Sequence, residues 1–342
     1  MPTVAINDYQ DKKIVTINFL SQEEARIAIA DWFGVLPTLL AQKICSINFY
    51  GSKLNLVSLA DLDDLFKSMD RLKDFKLSLS NSKLAIATQT TLNHIANNCP
   101  NNIEISLENN NFGASSSEQR KSLIAFIKQL SSKSKGISLS LCNLGGFNQA
   151  ELMEVIESFC NSSSLESVDL SHNLLFKLVT EEGAPSDELV KLFSGHLKRI
   201  NIRATGFLDN IGIEGWERLI DLMEQGKKLT HLNVSANNLE NLFDGEDRER
   251  FFKLFERLFA IPSIEEINLK NHNFSAADLE ELKQINKRNI RIIGLELKSQ
   301  ECQLLPKYNT IVNGNKTIPT ISQPSLSIDR KLFNPPTIPT IK

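Results

Sequence analysis

Apolar and polar residues follow a short frame that returns along almost the whole chain. In Leu165-Glu-Ser-Val168-Asp-Leu170-Ser-His-Asn173-Leu-Leu175, apolar residues fall at offsets 0, 3, 5 and 10, and asparagine at offset 8. Leu229, Leu232, Val234, Asn237 and Leu239 fit the same frame. Further copies centre on Ile47 and Phe49, Leu77 and Leu79, Ile105 and Leu107, Ile137 and Leu139, Ile200 and Ile202, and Ile267 and Leu269. Two weaker copies, Ile17 with Phe19 and Ile293 with Leu295, close the ends. The offset-3 residues recur at intervals of 26 to 35 residues. A sustained period of this size means stacked units, none of which can bury its apolar face alone.

Within each unit the alternation predicts a short strand with one buried face, so offsets 3 and 5 point inward and offsets 2, 4 and 6 outward. The residue at offset 8 stands where the chain leaves the strand, and its side chain can satisfy backbone groups that no ladder reaches. That position holds Ser52, Ser82, Asn110, Cys142, Asn173, Thr205, Asn237 and His272, mostly small and polar, with His272 the odd member. The second half of each unit predicts a helix: Glu118 to Leu130, Gln149 to Phe159, Glu217 to Glu224, Arg248 to Phe259 and Ala276 to Ile285. Ser117, Asn148, Ser186 and Ser275 are the expected N-caps.

Strand plus helix repeated at about 30 residues resembles the leucine-rich-repeat family, whose strand signature is matched best by Leu165 to Leu175 and Leu229 to Leu239. The unit length, the full helix and Cys142 at the turn position resemble the ribonuclease-inhibitor-like subclass. The resemblance covers residues 14 to 297 and implies an α/β solenoid, a right-handed horseshoe. Helices are wider than strands, so the parallel sheet is expected on the concave face and the helices on the convex face. Departures from the signature include Ser52 and Ser82 for Asn, and Asp74 and Asn102 for the first Leu.

The expected organisation is an N-terminal capping segment over 1–43, amphipathic from Glu23 to Leu40, then repeats over 44–300 and a Pro/Thr/Ser-rich tail over 301–342. The last strand, near Ile290 to Leu297, has little after it to cover its edge. Five of the eleven prolines lie between Pro319 and Pro339, and Thr317-Ile-Pro-Thr-Ile321 recurs as Thr337-Ile-Pro-Thr-Ile341. The tail reads as a solvated segment, an export signal or an extended docking motif.

Outward positions of the strands form a grid that is small, polar and slightly acidic in the middle. Its candidate protein-binding residues are Tyr50, Lys76, Glu104, Glu108, Asp169, Arg199, Asn201, Arg203, His231 and Asn233. Arg199, Arg203 and His231 cluster on adjacent units, and Asp169 is expected to pair with the two arginines. Arginine is enriched at interface hot spots; the competing reading of the cluster is a salt-bridged strip on a solvated sheet.

Composition narrows the choice of chemistry. The 38 basic and 41 acidic residues nearly balance, at a net charge of −3, which gives no excess positive charge to follow a nucleic-acid backbone. The five cysteines are scattered, with no Cys-x-x-Cys pair, so reduced thiols in a cytoplasmic setting are expected. No apolar run suits a cleaved secretory signal or a membrane-spanning helix. Gly226-Lys227-Lys228 lacks the spacing of a phosphate loop, and Gly145-Gly146 simply opens a loop. The five histidines sit on different units, and a metal site across His172, His231 and His272 would need non-adjacent turns to converge. No cofactor, metal or catalytic constellation is therefore expected.

These features favour a monomeric, non-catalytic scaffold that binds a protein partner on its concave face. Proteins of this look include the leucine-rich-repeat effectors that intracellular bacterial pathogens deliver into host cells, and the richness in Asn, Lys, Ile and Ser fits that version. The alternative is the substrate-recruiting part of an enzyme system such as a ubiquitin ligase. Such ligases carry a catalytic domain with a reactive cysteine, and the residues after 300, with Cys302 as their lone thiol, are too few to form one.

Overall fold

The alternating frame folds as expected, with each unit contributing a strand of as few as three residues, a tight turn and a helix. The computed structural model describes residues 3–9, 12–72, 74–180, 183–239, 247–272 and 274–295. Met1–Leu297 forms one compact unit. The 301–342 segment, with both Thr-Ile-Pro-Thr-Ile copies and Cys302, lies outside the described residues.

The strands are β1 (Thr3–Tyr9), β2 (Lys12–Asn18), β3 (Ile44–Asn48), β4 (Lys76–Ser78), β5 (Glu104–Ser106), β6 (Gly136–Ser138), β7 (Ser167–Asp169), β8 (Arg199–Asn201), β9 (His231–Asn233), β10 (Glu266–Asn268) and β11 (Arg291–Ile293). They form one sheet in sequence order. The helices are α1 (Gln22–Leu40), α2 (Leu59–Met69), α3 (Gln89–Asn98), α4 (Ser117–Ser131), α5 (Gln149–Cys160), α6 (Asp187–Ser194), α7 (Ile213–Gly226), α8 (Arg248–Ala260) and α9 (Ala276–Ile285). From β2 onward the strands are parallel, because each crossover passes through a helix. β1 instead turns back on β2 as an antiparallel hairpin, so the N-terminal segment adds an edge strand as well as its amphipathic helix. Trp32 of α1 is fully buried, and its indole N–H donates to Ser68 Oγ of α2 at 2.8 Å, tying this segment to the array.

Inward residues of successive strands stack directly: Ile105, Ile137, Val168, Ile200 and Leu232 are in register and buried. Each helix lays one stripe on this core. In α8 the stripe is Phe251, Phe252, Leu254, Phe255, Leu258 and Phe259, each burial stabilising by about 1.5–3 kcal/mol. Trp216 of α7 meets Phe251 and Phe255 at ring-centroid distances of 6.5 and 6.0 Å, so the contact that holds one unit is supplied by the next.

The turn residues behave as a ladder. Asn237 Nδ2 donates to the carbonyls of Ile202 and Val234, while its Oδ1 accepts from Thr205 N and Gly206 N. Asn110 and Asn173 repeat this double duty. Ser52 and Ser82 donate to Ile17 O and Phe49 O, and Cys142 Sγ donates to Leu107 O. His272 accepts from Leu239 N through Nδ1 at 3.4 Å, so an imidazole can stand in for the asparagine oxygen.

Several sequence expectations need correction. At the first unit Val15, not Ile17, pairs with Ile47, which moves the frame by two residues onto Val15 and Ile17. The β2–β3 ladder also carries a register irregularity between Lys13 and Ile14. At the last unit Ile292 pairs with Ile267, so Ile292 takes the inner position and Ile293 the outer one. Helix α4 is capped by Ser116, not Ser117, its side chain accepting from Gln119 N. Helix α7 begins at Ile213, a turn before the expected Glu217, because Ile213 and Trp216 are buried although Gly212 offers no side-chain cap. Asp74 and Asn102, which replace the first leucine of their units, have φ of 54° and 58°. Aspartate and asparagine tolerate that left-handed backbone better than leucine.

Candidate interaction face

The eight residues directly in register from β3 to β10 at the first outward position are Ser46, Lys76, Glu104, Gly136, Ser167, Arg199, His231 and Glu266. Helices occupy the other side, so this row and the two that follow it form the open face of the sheet. Tyr50 is 58% exposed. Lys76 is exposed, and Glu104, Asp169, Asn201, Arg203, His231 and Asn233 are half-buried among their neighbours.

Arg199 Nη2 donates to Glu104 Oε1 at 2.8 Å, with both side chains 46% exposed. Three strand-to-strand steps separate the two residues, with Gly136 and Ser167 between them. Each step is about 4.8 Å, so only two long side chains reaching toward each other can close the gap. Gly136 leaves the path open: a Cβ there would stand 3.2 Å from Glu104 Cγ. The expected pairing of Asp169 with the arginines is not found. Asp169 Oδ1 accepts instead from Ser171 N at 2.9 Å.

That bond is one of a column. Asn201 Oδ1 accepts from Arg203 N, Asn233 Oδ1 from Ser235 N, and Asn268 Oδ1 from Lys270 N, at 3.0 to 3.1 Å. Each residue bonds the backbone two positions on, which ends the strand by a local turn. The side-chain oxygens of Asn201 and Asn233 are thus already engaged in the fold. The spacing Asx-x-polar at successive units was a signal for this in the sequence.

Between the charged residues lies a floor of small hydroxyls. Ser80 bonds Ser78 and Ser106, Ser171 Oγ donates to Ser140 Oγ at 2.9 Å, and Ser138 Oγ donates to Glu108 Oε1 at 3.1 Å. His231 Nδ1 bonds Thr230 Oγ1 at 2.8 Å. Arg203 differs from its neighbours: its Nε is buried and without an acceptor, and no ion pair reaches it among the described residues.

Sequence reasoning missed a cleft at the N-terminal ends of β7 to β9. It encloses about 410 Å³ and is lined by Ser163, Leu165, Glu166, His196, Lys198, Lys228 and Thr230. Lys198 holds Glu166 at 2.9 Å and keeps its carboxyl below the usual range. Burial, and then the Lys228 ammonium, push the His196 imidazole down. Apart from Leu165 at offset 0, the residues lining the cleft stand before each strand at positions to which the repeat frame assigns no role.

Burial pushes the thiols of Cys99 and Cys142 up to about 12 and that of Cys160 up to about 11. Such thiols stay protonated at neutral pH and are poor nucleophiles. No cluster of three or more histidine, cysteine, aspartate or glutamate side chains suited to a metal occurs among the described residues, and no described helix is long and apolar enough to cross a membrane.

A parallel sheet built one strand per unit, a helix behind each strand and an asparagine ladder at the turns make the fold a leucine-rich-repeat solenoid. Among solved structures, it is similar to the leucine-rich repeat-containing protein LegL7 from Legionella pneumophila, at 19% identity and a TM-score of 0.50, over 79% of this chain and 78% of that one. The tropomodulin C-terminal domain of Caenorhabditis elegans is a more distant match, at 13% identity and a TM-score of 0.31, over 49% of this chain and 93% of that domain. No protein-family model and no curated protein matches the sequence.

Proposed function

We propose that this chain is a monomeric, non-catalytic scaffold that binds a folded protein partner on the open, concave face of its sheet. The observation that carries the reading is the continuous polar surface from Tyr50 to Asn233, in which Arg199 and Glu104 pair at 2.8 Å while remaining 46% exposed and so within reach of a partner. Lys76, Glu108, Asp169, Asn201, Arg203 and His231 complete the surface. The raised pKa values of the buried Cys99 and Cys142 thiols, which make them poor nucleophiles, speak for recognition over chemistry.

Within this reading, residues 1–43 cap the array, 44–300 are its repeats, and 301–342 are an appended tail. The unit length and Cys142 at the ladder position favour the ribonuclease-inhibitor-like subclass. The cysteine usage favours a reducing, cytoplasmic setting, and the composition favours an effector that a bacterium delivers into a host cell without a cleaved N-terminal signal.

The test is affinity capture with the intact chain and with the Arg199→Glu, Arg203→Glu double variant, alongside thermal melting of both. Loss of a specific partner at unchanged melting temperature supports the reading. Undiminished capture moves the binding surface off the sheet.

A further inference from the structure

The residue immediately after the third outward position lies in the left-handed backbone region in unit after unit. Asn81 (φ 53°) and Asn109 (φ 58°) hold it in early units and Asn271 (φ 61°) in a late one. In the four units between, it is held by Leu141 (φ 56°), His172 (φ 57°), Ala204 (φ 50°) and Ala236 (φ 55°). Asparagine reaches this region cheaply through its short polar side chain, whereas a leucine sets its Cβ against the following carbonyl. Burial does not offset that cost at Leu141, which is 53% exposed. An exposed leucine in a strained position is a departure from both backbone preference and burial, and departures of this kind concentrate at functional sites.

The same rim carries Arg203, which, like the exposed Lys76 and Lys270 of the open face, has no ion pair among the described residues, but which alone of the three is half-buried. Leu141 N donates to Ser171 O at 3.1 Å and His172 N to Arg203 O at 2.9 Å, so Leu141, His172 and Arg203 lie on successive turns. Arg199 is paired with Glu104 and Arg291 with Glu266, but Arg203 has no carboxylate partner among the described residues and its Nε lacks an acceptor. The nearby carboxylate, Asp169, accepts from Ser171 N. His172 feels both charges, and burial together with the Arg203 guanidinium lowers its pKa, so the ring stays neutral beside the arginine at pH 7.

We propose that this rim is the docking point for an acidic peptide segment of the partner, with a carboxylate on the Arg203 guanidinium and an aliphatic side chain over Leu141. The proposal rests on the open face being the partner-binding surface and narrows it to one place and one ligand chemistry. Charge complementarity selects the occupant: a planar guanidinium without a partner favours a bidentate carboxylate. The adjoining Leu141, Ala204 and neutral His172 favour an apolar neighbour to that carboxylate in place of further charge.

Fluorescence anisotropy with two labelled synthetic peptides tests this: leucines flanked by glutamates, and the same peptide with lysines for the glutamates. The proteins are the intact chain and its Arg203→Gln, Arg203→Lys, Leu141→Asn and Lys121→Gln variants. The intact chain is expected to bind the glutamate peptide about tenfold or more tighter than the lysine peptide, and less tightly as salt rises. R203Q and L141N each weaken it by about fivefold or more, R203K retains part of the binding, and K121Q on the helix side changes nothing. L141N melts no lower than the intact chain, because asparagine suits the backbone there, so its loss of binding is not loss of fold. Equal binding of the two peptides, or binding unaffected by R203Q and L141N, overturns the proposal. If the Arg199→Glu, Arg203→Glu pair still abolishes partner capture in that case, the open-face reading stands without this docking point. If capture survives the pair, the face itself is the wrong surface.

Discussion

Arg199 on β8 reaches back across two intervening strands to bond Glu104 on β5 at 2.8 Å, passing over Gly136 and Ser167. Both side chains are 46% exposed, so water and salt screen the pair. A double-mutant cycle on Arg199→Gln and Glu104→Gln should give a coupling of only about 0.2–1 kcal/mol, shrinking in high salt. A coupling of several kcal/mol in chemical denaturation would mean that the pair props the sheet and is not available to a partner. Gly136→Leu should break the pair sterically and reproduce the coupling loss.

The turn ladder carries far more stability than the surface pair. Asn237 accepts from two backbone amides and donates to at least two carbonyls, all buried except the part-buried bond from Gly206 N. Asn237→Ala leaves those groups unsatisfied and should cost at least about 2 kcal/mol, measured by urea unfolding. Ser52, which donates to Ile17 O alone, should cost about 1 kcal/mol on replacement by alanine. Equal costs at the two sites would mean that water enters the ladder and replaces the lost bonds.

Acid should loosen the last units in a way that one carboxylate explains. Asp278 is the reciprocal partner in the capping box of α9, accepting from Ser275 N and from Arg248 Nη2. Burial alone would raise its pKa, but the Ser275 hydroxyl and the Arg248 guanidinium more than offset this and hold it below the usual value of 3.8. Its contribution is present above the unfolded pKa and lost as pH falls through the lower, folded value. Asp278→Asn should therefore destabilise the chain by about 1 kcal/mol at pH 7, and the difference should narrow below about pH 4. Melting curves from pH 7 to pH 3 check the convergence; a gap that widens on acidification would contradict it.

The raised thiols act at the other end of the scale. Cys99 and Cys142 are pushed up to about 12 by burial, from a reference of 9.0. Between those values the unfolded chain releases protons that the folded chain keeps, so stability falls as pH rises above 9.0. Replacing both with serine or alanine should flatten that fall. At pH 8, iodoacetamide should modify the half-exposed Cys45 well before Cys99 or Cys142, as peptide mass mapping would record; early labelling of Cys142 would place its sulfur outside the ladder.

The sequence by itself determined the solenoid. Its period, its inward Val168 and Leu170 and its ladder residues Asn110, Asn173 and Asn237 are all local features, because each unit repeats one short strand with its own turn chemistry. The N-caps Asn148, Ser186 and Ser275 were legible for the same reason. The end units were less so, since Val15 and Ile292 take their inner places by pairing with Ile47 and Ile267, and apolar neighbours on either side fit the frame equally well. The outward residues could be named but not paired. Which carboxylate Arg199 takes depends on how far two side chains reach over the small residues between them, and among the described residues Arg203 has none, while Asp169 accepts from its own unit's backbone. Only the tertiary structure decided those pairings, because strand spacing and side-chain reach, unlike periodicity, couple residues 95 positions apart.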